Sequence, residues 1–308
     1  MFVVSLFVVT SFVVAFYIND LPQITNENSK IILYADYTSL IITTPNPTNF
    51  ERNINKIFHD INRWFDINLL SLNLNKTHYM QLFNKNSSLI DINIRHKNEK
   101  IAKTCIKKFL GLIIENTLSW KTHIDNIAPK LSSAAFAIRT VKPYLSLDSL
   151  KMTYYSYFHS IMTYGIIFWG NSYYSTTIFR LQKWTIRIIV GLRSRDSCRE
   201  YFKKLKILPL QSQSQSLLLF VISNRNYFKE NSDIHNIDTR TKSNLHQPFA
   251  NSSIYQKGTY YYGIKVFNTL PSQIKDLSVN KNKFRCALES FLYFNSFYTL
   301  DEYFNYNK

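Results

Sequence analysis

Ile31-Ile32-Leu33-Tyr34-Ala35-Asp36-Tyr37-Thr38-Ser39-Leu40-Ile41-Ile42 sets two apolar runs on either side of a short polar break. Runs of this length and β-branched content read as strands, and the break between them reads as a hairpin with Ala35, Asp36 and Tyr37 near its tip. Both arms are almost continuous in Ile and Leu, so at least one face must be deeply covered. The cover follows directly. Phe50, Ile54, Ile57, Phe58, Ile61, Trp64 and Phe65 recur at three and four and predict a helix with one apolar stripe. Thr48 and Glu51, just after Pro47, form the capping box that would start it, and its end is expected near Asn68.

Outward from this core, Asn73 to Lys76 predict a turn and Thr77–Phe83 a strand. A second turn is expected over Asn84 to Ser88, with strands over Ile90–Ile94 and Lys108–Ile114. The first unit is therefore α+β. Upstream of the hairpin, Met1–Tyr17 is apolar and β-branched. It is slightly short for a membrane span and carries no Lys or Arg before Lys30. A buried strand or helix is the favoured reading, and a signal or membrane anchor is the alternative.

From Trp120 the pattern turns helical. Trp120, Ile124, Ile127, Leu131, Ala134, Ala135, Ile138 and Val141 keep helical spacing, with Pro129 expected to kink the helix. Ser146 caps a second helix, running to about Tyr164. Thr176–Val190 reads as a third, Gln211–Phe228 as a fourth, and Phe284, Leu288, Phe291 and Leu292 mark a last amphipathic one. The polar stretch 229–253 reads as a linker. The expected division is 1–115, 116–228, the linker 229–253, and a small C-terminal unit 254–308.

Composition narrows the function. The chain has 308 residues, with 37 Lys and Arg against 20 Asp and Glu, a formal charge of +17. The excess is uneven. Residues 1–100 hold 9 basic and 8 acidic residues, 101–200 hold 14 and 5, and 201–308 hold 14 and 7. A basic later two-thirds is the footprint of a phosphate-backbone partner. Its densest part is the helix bearing Arg180, Lys183 and Arg187 on one face, followed at once by Arg193, Arg195 and Arg199. The three Cys (Cys105, Cys198 and Cys286) are odd in number and far apart, which excludes a disulfide framework and a zinc finger. There is no nucleophile elbow, no H-x-x-x-H and no Gly-rich phosphate loop. No small-molecule cofactor is indicated. Carboxylates remain, and an Asp at a hairpin tip is the most suggestive placement.

Tyr34-Ala35-Asp36-Tyr37 followed by Thr38 resembles the Tyr-Ala-Asp-Asp box of reverse transcriptases, and Tyr17-Ile18-Asn19-Asp20-Leu21-Pro22 resembles the segment before that box in non-LTR retrotransposons of the jockey type. Trp64-Phe65, Leu70-Ser71-Leu72-Asn73 and Asn75-Lys76-Thr77 resemble the next family motif. Phe109-Leu110-Gly111 resembles the primer-grip box, with Trp120 and His123-Ile124 as its continuation. Tyr164-Gly165, Trp169-Gly170, Leu181-Gln182-Lys183, Tyr255-Gln256-Lys257-Gly258 and Gly263-Ile264-Lys265-Val266-Phe267-Asn268 resemble the family's C-terminal helical region. The order and spacing of the boxes, over about residues 17–304, carry the resemblance.

This resemblance implies a partial reverse-transcriptase palm followed by a mostly helical thumb and C-terminal region. It implies descent from an RNA-directed DNA polymerase of a retrotransposon. Asp36 matches a Mg²⁺ ligand, and Lys76 matches a lysine placed to protonate the leaving pyrophosphate. Lys107, Lys108, Arg180, Lys183, Arg187, Arg193, Arg195 and Arg199 are the candidate contacts to RNA or DNA, held as a template–primer duplex. The second Asp of the box is Tyr37 here, a poor Mg²⁺ ligand. The family's upstream Asp and its Gly-x-Pro-Gln-Gly box have no counterpart before Asp36. A truncated, degenerate and inactive chain is therefore expected, with a cytoplasmic or nuclear location. A non-enzymatic nucleic-acid-binding protein and a membrane-anchored basic protein are the alternatives.

Overall fold

The computed structural model describes residues 2–7, 18–24, 29–34, 37–43, 50–82, 92–96, 99–235 and 242–306. Thr48 of the expected capping box, residues 8–17, the expected turn at 84–88 and Asp36 lie outside them. The described chain is mixed α and β and mostly helical, with small sheets. It divides into two compact units, 1–118 and 119–308.

In the first unit the hairpin is present. Strand β2 (Ser29–Tyr34) pairs antiparallel with β3 (Tyr37–Ile42), in a register that sets Ile31 opposite Leu40 and Tyr34 opposite Tyr37. Part of the apolar N-terminal run is β1 (Phe2–Phe7), which lies between β3 and β4 (His78–Gln81). The sheet order is β2-β3-β1-β4-β7, with β7 (Ala102–Lys103) parallel to β4. A strand with neighbours on both sides satisfies its backbone groups along the ladder, so a β-branched run suits that central place. No helix among the described residues is long and apolar enough to cross a membrane.

Helix α1 (Phe50–Ile67) covers the sheet as its stripe predicts. Ile54, Ile57, Phe58, Ile61, Trp64 and Phe65 join Ile31, Leu40, Ile42 and Tyr79 in one buried core. The Trp64 indole donates to Asp20 Oδ2 at 3.4 Å, which ties the segment before the hairpin to this helix.

Two strand expectations change. Ile92 and Ile94 are buried, yet they belong to no strand. The Ile92 carbonyl accepts from the Tyr79 hydroxyl at 3.0 Å, and Ile94 accepts from the Ile101 amide. Pairing begins only at β5 (Arg95–His96) with β6 (Glu99–Lys100). The single strand expected over Lys108–Ile114 is a hairpin, β8 (Ile106–Phe109) with β9 (Leu112–Glu115). Its turn is Leu110-Gly111, with φ of 45° and 82°, the doubly left-handed geometry whose twist matches a two-residue hairpin.

In the second unit, α2 (Lys121–Val141) contains Pro129 without ending there. It buries Ile124, Ile127, Leu131, Ala134, Ala135 and Ile138. Ser146 starts α3 (Leu147–Thr153), its hydroxyl accepting from the Ser149 amide at 3.3 Å. The helix then widens into a π-helical stretch, Tyr154–His159. Helix α4 (Ser175–Val190) packs on α2. Its Gln182 is wholly buried and satisfied on three sides. Its amide nitrogen donates to Tyr154 Oη (3.0 Å) and to the Leu208 carbonyl (2.9 Å), and its oxygen accepts from the Leu210 amide (2.8 Å).

Helices α5 (Arg199–Leu205), α6 (Ser214–Ser223), α7 (Thr259–Thr269), α8 (Lys281–Asn295) and α9 (Leu300–Asn305) follow, with shorter helical segments among them. The segment expected as a linker is not a spacer between two cores. Leu245 lies in the same core as Leu218, Val221, Ile264, Phe267, Phe284, Leu288 and Leu292. Asn268 grips it from the side, accepting from its amide (2.9 Å) and donating to its carbonyl (2.8 Å). The stretch expected as a separate C-terminal unit therefore shares one interior with α6. Gly263 permits the approach, because a Cβ there would sit 2.9 Å from Val221 Cγ2.

Gln182→Leu removes three hydrogen bonds, among them the buried one that the Leu210 amide donates. The expected cost is about 3 kcal/mol or more in urea unfolding. A loss under about 0.5 kcal/mol would contradict the network's role. Burial lowers the pKa of His123, with Lys130 adding to the effect, and burial lowers that of His159. In both cases the fold favours the neutral ring, so the unfolded chain binds more protons as the pH falls past its own value near 6.5. Stability should be full above that pH and decline as the pH falls through 6 toward the lowered folded values. A flat urea midpoint between about pH 7.5 and 5.5 would contradict this sign.

Candidate functional site

The expected site residues fall in both units. In the first, Asp36 lies outside the described residues, and Tyr34 and Tyr37 are the paired strand ends on either side of it. Lys76 is exposed in the turn before β4, its amide donating to Asn73 Oδ1 at 3.2 Å. Lys107 and Lys108 are consecutive on β8, so they point to opposite faces and do not form one patch. Lys108 is exposed. The Lys107 amine is half-buried, 3.2 Å from His78 Nδ1, and its pKa is lowered by burial. The same His78 nitrogen lies 3.0 Å from the Lys76 carbonyl. His78 thus brings Lys107 to the backbone of the Lys76 turn.

The cations of the second unit are gathered along α4 and the loop after it. Arg180, Lys183 and Arg187 are spaced to share one side, opposite Ile178, Gln182, Ile186 and Ile189. Gly191 ends the helix with φ of 81°, its amide bonding back to the Arg187 and Ile188 carbonyls. This stop turns the chain so that Arg193 and Arg195 follow as an exposed loop. Asp196 organises that loop. Its carboxylate accepts from the Arg193 amide at 2.9 Å, and its carbonyl accepts from Arg187 Nε at 2.8 Å.

The six cations do different work. Arg199 is paired with Glu302 and stacks its guanidinium 4.8 Å from the Tyr298 ring centre. Glu302 also accepts from the Tyr298 amide at 2.9 Å. The Lys183 amine lies 4.7 Å from the Phe179 ring centre. Phe179 and Phe202 meet the Tyr298 ring edge-on, at 5.1 and 5.6 Å. Arg199, Arg187 and Lys183 are therefore partly spent on holding α4, α5 and α9 together. Arg180 is exposed, with one weak contact to Thr177 Oγ1 at 3.4 Å. Arg180, Arg193 and Arg195 are the cations turned to solvent. Their guanidiniums are available for an anionic ligand.

Sequence reading finds the basic run but misses Tyr298 and Glu302, which complete it from 103 residues away in the case of Glu302. No local spacing signals such a pair.

Truncation separates the two kinds of cation. Arg199→Ala should lower unfolding stability by about 1–2 kcal/mol through loss of the ion pair and the ring contact. Arg187→Ala should cost about 1 kcal/mol. Arg180→Ala, Arg193→Ala and Arg195→Ala should stay within about 0.5 kcal/mol of the parent. Equal costs for all five in chemical denaturation would contradict the division. No protein-family model, curated protein or solved structure matches this chain.

Proposed function

We propose that this chain is a catalytically inactive remnant of a non-LTR reverse transcriptase that holds RNA or DNA through its basic second unit. The observation that carries the reading is the pairing of β2 with β3. Tyr34 stands opposite Tyr37, so only Ala35 and Asp36 of the Tyr34-Ala35-Asp36-Tyr37 box separate the paired ends. Support comes also from α1 packed on that hairpin, and from a second tight hairpin turning at Leu110-Gly111, within the segment that resembles a primer grip.

The resemblance brings Mg²⁺ with it, because nucleotidyl transfer of this kind uses two ions held by converging carboxylates. The donor set here does not fit that pair. Tyr37 offers a phenol where a second carboxylate belongs. The Asp20 carboxylate is engaged with the Trp64 indole. Among the described residues, no three His, Cys, Asp or Glu side chains come together. Accordingly, no catalytic step is assigned to Asp36 or to the exposed Lys76. What the chain retains is charge: three solvent-facing arginines on a helix and a loop fixed by Gly191 and Asp196, suited to phosphate contact that is independent of base sequence.

Two experiments test the two halves of the reading. In a Mg²⁺-dependent primer-extension assay the purified chain should give no product above background, and Asp36→Ala should change nothing. Robust extension abolished by Asp36→Ala would sink the inactive assignment. RNA binding followed by anisotropy should weaken steeply with salt. Replacing Arg180, Arg193 and Arg195 together by Glu should reduce the slope of log K against log salt by about 2 or more. An unchanged slope and affinity would contradict the proposed surface.

A further inference from the structure

Between the end of α5 and the outer face of α8 runs an open groove of about 620 Å³. Lys203 and Lys206 stand on one side, and Tyr293 and Phe294 on the other. Lys203 follows Arg199 by one helical turn on α5. The groove sets two amines beside an aromatic wall.

Phe294 is 76% exposed, although it sits on an amphipathic helix that buries Phe284, Leu288 and Leu292 elsewhere. The Lys203 amine lies 5.8 Å from its ring centre. Tyr155, on the π-helical stretch, backs the groove: it donates its hydroxyl to the Lys206 carbonyl at 2.9 Å and interacts electrostatically with Tyr293. Lys206 itself caps α5 in the left-handed conformation, φ 51°, with its amide bonded to the Lys203 carbonyl. The acid in the groove, Glu289, is paired with Arg285 at 3.0 Å.

A flat, exposed ring flanked by ammonium groups suits a ligand that has both a π-face and a phosphate. We infer that this groove is a stacking site for a base of single-stranded nucleic acid. Phe294 is the platform, Tyr293 the wall, and Lys203 and Lys206 the contacts to the flanking phosphates. The inference rests on the nucleic-acid reading above and adds to it a second site, one that reads bases as planar rings where the arginine surface reads only charge.

The test uses the full chain with a short oligothymidylate and an abasic oligomer of the same number of phosphates. Phe294→Ala removes an exposed ring and leaves the core intact. It should weaken oligothymidylate binding by about 5-fold or more while leaving the abasic oligomer unaffected. Lys203→Glu should weaken both. Cys286 is exposed and lines the groove, so its alkylation by N-ethylmaleimide, followed on its own peptide, should slow when oligothymidylate is bound. Three results would overturn the inference: equal loss on both oligomers, no loss with Phe294→Ala, or unchanged Cys286 alkylation at saturating oligomer. If binding persists and depends on Arg180, Arg193 and Arg195 but not on Phe294, the groove assignment alone falls. If neither oligomer binds at low salt, the nucleic-acid reading falls with it.

Discussion

One buried amide fixes the second unit. Gln182 sits at the centre of α4 with no exposed surface and spends its side chain on three partners that come from two other parts of the chain. A buried amide left unpaired would cost more than the hydrogen bonds gain, so this side chain permits one arrangement and penalises others. It sets the rotation of α4. With Gln182 inward, the residues at Arg180, Lys183 and Arg187 are turned to the other side. The charged face of the helix thus lies opposite the side on which Gln182, with Ser175 and Thr185, is buried.

The same economy divides the cations. A basic surface that must also fold has to engage some of its charge, and here the carboxylate that pairs with Arg199, that of Glu302, comes from 103 residues away. Glu302 and Tyr298 hold Arg199, the Asp196 carbonyl holds Arg187, and aromatic rings sit beneath Lys183. The loop after Gly191 carries Arg193 and Arg195 outward. Backbone geometry and charge therefore work together: a left-handed glycine ends the helix, an Asp turn stiffens the loop, and the exposed guanidiniums need no further support.

Much of this was legible in the amino-acid order, and the exceptions have physical causes. The β2–β3 pair was readable as two short apolar runs around a polar break, and α1 from the helical period that one-sided burial leaves on Ile, Phe and Trp. The β8–β9 turn was not, because Leu110 at positive φ is uncommon and only Gly111 hinted at a break. Ile90–Ile94 looked like a strand because buried Ile residues are common to strands and to irregular chain tucked under a side chain. Tyr79 decides between the two, and its hydroxyl leaves no pattern in the sequence. The stretch 229–253 looked like a linker because it is polar, yet one Leu clasped by one Asn is enough to dock it. Among the candidate site residues, the Arg180–Arg199 run could be located from charge density. That Arg199 is spent on structure depends on Glu302, 103 residues away, which no local reading supplies.

The central claim is that the basic second unit, and not the hairpin of the first, is the part that engages nucleic acid. Hydrogen–deuterium exchange of the full chain, with and without saturating single-stranded RNA at low salt, addresses it directly. The account predicts slowed exchange at amides of residues 191–199 and at the start of α5, with β2 and β3 unchanged. Protection confined to the hairpin strands, or RNA binding with no change across 180–206, would contradict it.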